Sequence, residues 1–271
     1  MFGPDTKMAD TCDRVPVLMY HRVGAAHNAW EARYAIAPDA YAAHMHALSG
    51  AGFRAVGIDA LVAWLEGGPP LPAHAIVVTF DDGFRGVREH ALPVMETLAW
   101  PFTVFLVSDL IGQQDVWTRS ANPAGVTYPL LDAGEIRDMQ QRGVSFHSHT
   151  RSHASLPALD EDALADQLGG SRAHLSDLLG RDVAYLAYPF GHVDDRVEAA
   201  TRAAGYRAAF STQSGFNRRD VNRFRIRRID VYGTDTPQML LRKIRFGTND
   251  GSLAHAAAYY LGRARSRLTG R

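Results

Sequence analysis

The 271-residue sequence predicts an α/β fold, a (β/α) barrel built as one domain. Three observations carry that expectation. Short β-rich apolar runs alternate with stretches of helical period along most of the chain, as in a parallel sheet with helices outside it. No Gly-rich phosphate loop interrupts the seven or eight βα units, which disfavours a dinucleotide fold. No internal repeat or low-complexity linker divides the chain. In order, the strands are expected at Pro16–Tyr20, Arg54–Val56, Ile76–Phe80, Phe102–Val107, Val144–Phe146, Ala184–Tyr188, Arg207–Phe210 and Ile226–Val231. Each is a short apolar run. The helices between and after them are expected at Pro38–Ser49, Ile58–Glu66, Val87–Leu98, Asp132–Gln141, Asp160–Leu179, Asp194–Ala204 and Pro237–Arg245. Asp and Pro, which open five of these seven, suit a first helical turn. One connection, Ser108 to Leu131, is long enough to suggest a functional loop, and it carries Gly112, Trp117, Pro123, Gly125 and Pro129.

Composition narrows the function. Hydrophobic residues at 46% and charged residues at 21% fit a globular chain and not a disordered one. Lys+Arg and Asp+Glu are 29 each, so nucleic-acid binding has no global electrostatic support. The single cysteine, Cys12, excludes an internal disulfide framework and any multi-thiolate metal site. A metal would therefore need His and carboxylate ligands, and 12 histidines are available. Apolar runs such as Phe102–Val107 are far too short to span a bilayer. Asp5, Lys7, Asp10, Asp13 and Arg14 leave no apolar signal region at the start, so a cytoplasmic protein is expected.

The expected organisation is an N-terminal extension over 1–14, the barrel over 15–250 and a basic helical tail over 251–271. From Arg218 onward basic residues far outnumber acidic ones. In the tail, Leu253, Ala257, Tyr260, Leu261, Ala264 and Leu268 fall at helical spacing beside Arg263, Arg265 and Arg267. Such a stretch packs on the barrel or, as the alternative, lies on an anionic membrane surface as a peripheral contact.

In a barrel of this kind catalytic groups sit at the carboxyl ends of strands. The first such end reads Thr79-Phe80-Asp81-Asp82-Gly83, where two adjacent buried carboxylates repel unless a cation or proton lies between them. The plainer alternative is a helix cap followed by a solvated Asp. The second end carries His147, His149 and His153; the last two, four apart, share one face if a helical turn begins there. His147 could compete as a ligand or support His149. Together these ends offer Asp82, His149 and His153 as metal ligands and leave Asp81 free as general base. The third end, Tyr188-Pro189-Phe190-Gly191, forces an irregular turn that either aims a backbone N–H into the pocket or is a turn and nothing more.

These motifs, in this order, resemble the polysaccharide deacetylase family, carbohydrate esterase family four with its NodB homology domain, from about Val15 to Val231. The resemblance implies a distorted (β/α) barrel of about seven strands and metal-dependent removal of N-acetyl groups from amino sugars. It also implies Asp81 as base, Asp82, His149 and His153 as ligands, and the Phe190 N–H as oxyanion donor beside Tyr188. Two positions depart from the family pattern. Ala187 stands where an Arg usually steadies the catalytic Asp, although Arg228 on another strand is a possible substitute. Leu253-Ala254-His255 matches the Leu-x-His motif of the general acid only in letters, within a helix-like tail. Val15–Val23 instead resembles the opening of the exopolysaccharide-deacetylating branch, whose acid histidine follows the first strand, here His21. Trp117 could stack on a sugar or pack in the core.

The expected activity is thus hydrolysis of N-acetyl groups on N-acetylhexosamine units of a polysaccharide or glycan precursor, releasing acetate. The cofactor is a divalent metal, zinc first, with Co, Ni, Fe or Mn accepted by the same ligands. Alternatives are a deacylase of an N-formyl or non-sugar N-acetyl group, and a non-catalytic glycan-binding barrel.

Overall fold

A computed structural model describes residues 12–258. Its strands are β1 (Val17–Tyr20), β2 (Arg22–Val23), β3 (Ala35–Ile36), β4 (Arg54–Ala55), β5 (Ala75–Phe80), β6 (Thr103–Leu106), β7 (Ser145–Ser148), β8 (Tyr185–Ala187), β9 (Ala208–Phe210) and β10 (Ile229–Asp230). Eight of them form one parallel sheet in the order β10-β1-β5-β6-β7-β8-β9, with β4 joined to the start of β5. The remaining two, β2 and β3, make a separate parallel pair.

The sheet curls into the expected distorted barrel, and the distortion has a location. The predicted strand Ile226–Val231 is divided between two neighbours. Ile226 bridges to Phe210 of β9 and donates its N–H to Ala209 O at 3.0 Å, whereas Ile229 and Asp230 pair with Leu18 and Met19 of β1. The chain steps across the seam there and does not ladder continuously with either edge.

Strand period sorts the core into two clusters. Side chains at odd positions, including Val17, Val77, Phe105, Tyr185, and Ala187, face inward with Ala208, Phe210 and Ile226 and meet helix α2 (Ile58–Leu65). Positions of the opposite parity, including Leu18, Tyr20, Val78, Phe80, Val104, Phe146, Leu186 and Tyr188, face the outer helices. These helices are α1 (Pro38–Gly50), α3 (Leu92–Thr97), α4 (Ala133–Gln141), α5 (Glu161–Ala165), α6 (Ser171–Leu179), α7 (Asp195–Ala203) and α8 (Pro237–Phe246). Asp132 opens α4 with a reciprocal cap: its side chain accepts from Glu135 N while Glu135 accepts from Asp132 N.

Two predicted helices are less regular than their pattern. Val87–Leu98 opens on a π-helical turn, Val87–Ala91, immediately before Pro93, which has no N–H for an ordinary helical bond. Asp160–Leu179 is divided by a second π segment, Asp166–Gly170, ending on two glycines.

Part of the basic excess after Arg218 meets acidic groups earlier in the chain. Arg218 pairs with Asp13, Arg223 with Glu66, and Arg225 with Glu198 and Asp195. Residues 253–258 are helical; the rest of the expected tail, with Arg263, Arg265 and Arg267, and residues 1–11 of the expected N-terminal extension lie outside the described residues. Among the described residues no helix is long and apolar enough to cross a membrane.

Helix α8 is anchored by a buried ion pair. Lys243 Nζ contacts Asp235, donates to Asp230 O at 3.0 Å and sits over the Tyr232 ring at 4.1 Å. Lys243→Ala should cost about 3–5 kcal/mol, because it leaves a buried carboxylate without its cation. Urea unfolding measures this, and a loss below about 1 kcal/mol would mean the pair does not hold the helix.

Candidate active site

The inward register that fills the barrel with apolar side chains delivers polar ones at its mouth. Met19 pairs with Thr79 and with Asp230, so His21, Asp81 and Asp230 emerge inward at the carboxyl ends of adjacent strands. His149 follows β7 with the same parity. All four line one cavity of about 350 Å³, with Asp82 and His153.

Local backbone turns the remaining groups into place. Asp82 and Gly83 adopt positive φ, 71° and 81°. A side chain at Gly83 would also bring Cβ within 2.7 Å of the Leu106 side chain. The expected helical turn between His149 and His153 is absent. Thr150 and His153 are instead left-handed, φ 69° and 61°, and His153 N donates to Thr150 Oγ1 at 3.2 Å. This loop, tied to the long connection through Ser108 N to Thr150 O at 3.0 Å, sets the two imidazole centroids 4.9 Å apart. Non-glycine residues in this region are strained, and Phe190, φ 59°, is another at the same mouth.

The ligand atoms of Asp82, His149 and His153 lie within 4.8 Å of one another. His149 Nε2 is 3.5 Å from Asp82 Oδ1 and His153 Nε2 is 3.4 Å from it. His149 Nδ1 lies 2.7 Å from Ala187 O, a contact that requires the proton on Nδ1 and leaves the Nε2 lone pair facing Asp82. Asp82 Oδ1 is buried without a hydrogen-bond partner. Burial, then Asp81 and Asp115, push the Asp82 carboxyl well above the usual range. Burial pulls His149 down to about 4, against the opposing charge of Asp81. Three buried electron-rich atoms with no hydrogen bond between them suit a cation, and His₂-carboxylate is a donor set that divalent metals take.

Asp81 is satisfied differently. Arg228, fully buried, grips it bidentately at 2.6 and 2.8 Å, and donates Nε–H to Ser211 O at 3.0 Å. Burial alone would raise the Asp81 carboxyl, but Arg228, aided by His149 and His21, holds it at about 2. Arg228 thus meets the need left by Ala187, which faces inward and offers only its carbonyl. Burial lowers His21, with Asp81 and Asp230 opposing, and its ring meets Tyr34 edge-on at 5.4 Å. Asn249 holds Asp230 at both its backbone N and its carboxylate, at 2.9 and 3.1 Å.

The other sequence candidates separate. Trp117 stacks on His153 at 4.6 Å, and Phe190 meets the same ring edge-on at 4.6 Å. Tyr188 borders the cavity, but its even parity buries the ring in the outer core. His147 lies deeper in the barrel against Phe105 and Tyr185, with Ser145 Oγ at 3.2 Å, outside the three-residue cluster. His255 lies away from the cavity, near Asp250 and Phe246. Sequence reasoning missed Asp230, although its parity with Arg228 signals it, and Asp115, which nothing local marks.

Residues 68–209 match the model of the polysaccharide deacetylase family. The chain belongs to that family. Its activity class is therefore deacetylation of a polysaccharide by hydrolysis. The deacetylase is similar to the poly-β-1,6-N-acetyl-D-glucosamine N-deacetylase of Staphylococcus epidermidis, 24% identical over 59% of this chain, and spans about half (55%) of that protein's length. The structure of IcaB from Ammonifex degensii superimposes with TM-score 0.70 and 26% identity, covering 85% of this chain and 97% of that one. The deacetylase PplD of Streptococcus pyogenes, in complex with acetate, shares the fold with TM-score 0.73 at 19% identity, over 85% of this chain and 98% of that one.

Arg228→Met should destabilise the deacetylase by about 3–5 kcal/mol at neutral pH, the effect of stranding a buried partner. Asp81 is depressed in the folded state, so its contribution is present above the unfolded carboxyl value of about 3.9 and lost as pH falls through about 2. The gap between wild type and variant should therefore narrow from pH 4 to pH 2 in denaturant titrations. A gap independent of pH would contradict the pairing.

Proposed function

We propose that the chain removes acetyl groups from N-acetylhexosamine units of a polysaccharide, with Asp82, His149 and His153 holding a divalent cation, zinc first. The observation carrying this reading is the convergence of three buried donor atoms beside an Arg-held carboxylate and an inward histidine. A bound divalent cation supplies Lewis acidity to the acetamide carbonyl and to a water.

The chain's own groups then divide the work. Asp81, kept ionised by Arg228, accepts the proton of the water whose oxygen attacks the carbonyl carbon. The Phe190 N–H, at the strained turn on the rim, donates to the carbonyl oxygen as negative charge develops. His21 protonates the nitrogen as the C–N bond breaks; burial lowers its pKa, and Asp81 and Asp230 oppose that shift. Trp117, stacked on His153, covers the acetyl end of the cavity and excludes water. The products are acetate and a free amino sugar. The non-catalytic reading rested on the missing Arg at position 187, and Arg228 beside Asp81 leaves it unsupported.

His149→Ala should strip the metal, measured by elemental analysis, along with acetate release from N-acetylglucosamine oligomers. Asp81→Asn should keep the metal and lose turnover. Metal retained in the first variant, or lost in the second, would show that the ligands are assigned wrongly.

His21→Ala should lower kcat by roughly two to four orders of magnitude, the range for a lost general acid or base, whereas His255→Ala should change little. Asp230→Asn removes a charge that favours imidazolium, so the alkaline limb of kcat/KM should move to lower pH. An unmoved limb, or the opposite ranking of the two histidines, would place the acid elsewhere.

A further inference from the structure

A buried polar cluster above the barrel has no part in this chemistry. Its centre is Glu31, 2% exposed, in the segment that β2 and β3 close into a loop. Glu31 Oε2 accepts from Arg22 at 3.1 Å, His27 N at 2.9 Å and Tyr128 Oη at 2.8 Å. Oε1 accepts from Asn122 at 2.9 Å and Asn28 at 3.5 Å. The Arg22 guanidinium lies 3.6 Å over the Tyr128 ring, and Asn28 donates to Asn122 at 3.0 Å.

Burying a Glu–Arg pair gains little stability over apolar packing, and the best-attested return is a fixed register. Here the register is between the loop after β2 and the 108–131 connection, whose Asn122 and Tyr128 come from about ninety residues away. Both segments face the cavity. The first presents Trp30 and Tyr34, which pack together at 5.1 Å, and Tyr34 remains 37% exposed. Tyr34 meets the His21 ring edge-on and Trp30 lines the same cavity, whereas Trp117 and Phe190 pack on His153. An aromatic face left open to solvent beside a sugar site takes the apolar face of a pyranose ring.

We propose that the Glu31 clasp builds a second sugar subsite: it fuses the two segments into one wall, and Trp30 and Tyr34 on that wall take the ring adjacent to the reacting unit. The chain thereby selects oligomeric N-acetylhexosamine over the single sugar. Glu31 is a positioning residue here, and the two aromatic residues determine specificity. The inference rests on the deacetylase reading for the place of the reacting unit.

The test is equilibrium binding of N-acetylglucosamine tetramer and monomer, by calorimetry, to full-length protein carrying Asp81→Asn to suppress turnover. The quantity read is the ratio of the two affinities. Tyr34→Ala, an exposed position that leaves the clasp intact, should reduce the tetramer preference at least tenfold. Glu31→Ala should do the same, and Glu31→Gln, which keeps the volume and removes the charge, should fall between. A ratio within threefold of the parent in Tyr34→Ala overturns the subsite. A fall in Tyr34→Ala with none in either Glu31 variant overturns the role of the clasp. Acetate release by the unmodified chain is read separately: its presence with no tetramer preference leaves the deacetylase reading standing and removes this one, whereas its absence with a Tyr34-dependent preference removes the deacetylase reading and leaves the subsite.

Discussion

Two carboxylates on consecutive residues at the end of a buried strand set the terms for everything above this barrel. Side by side and desolvated, Asp81 and Asp82 cannot both remain charged without compensation. The structure separates them by strand parity and by one left-handed residue. Asp81 keeps the inward direction of β5 and meets Arg228, while Asp82, at φ 71°, leaves the strand line and meets two imidazoles. The first carboxylate is satisfied by a cation the chain carries. The second has no hydrogen-bond partner at Oδ1 among the described residues and lies between the two imidazoles.

That division reaches down into the barrel. Arg228 can be buried only because its charge is matched by Asp81, its Nε–H finds Ser211 O, and the Phe105 ring lies 5.7 Å beneath it. It reaches this place because the chain crosses the seam between β9 and β1, and Arg228 occupies the two-residue step between Ile226 and Ile229. A regular closed barrel would ladder that segment on both sides. The distortion of the sheet and the placement of the one cation that tames Asp81 are therefore the same feature.

Strand period was legible in the sequence, and contacts between distant loops were not. The apolar runs located seven of the ten strands to within two residues, because a two-residue period must present one face to the interior and the other to helices; β10 begins three residues after its expected start, and the two-residue strands β2 and β3 are too short to show a period. The same period carries information that adjacency alone obscures: Tyr188 neighbours Ala187 in a motif, yet points outward into the core. The His149/His153 pair was legible from spacing, though the reason was not: left-handed Thr150 and His153, not a helical turn, bring the rings together. Asp132 and Glu135 announce their helix because a cap is local. No residue near Glu31 in the chain announces Asn122 or Tyr128. Side-chain partners that far apart, on segments without regular structure, leave no periodic trace.

The site is consequently assembled from two kinds of parts. Its reactive groups sit on or just after strands, where register fixes them relative to one another and the parallel ladder resists displacement. Its walls are loops, and loops this long do not hold position by backbone pairing alone. The chain compensates with charge: Arg22 directly follows His21, so the residue that secures the wall through Glu31 is attached to the strand end that presents the histidine. A displacement of the wall must therefore pull on β2, and through it on His21. The strand end that presents His21 and the arginine that anchors the loop wall are thus joined by a single peptide bond.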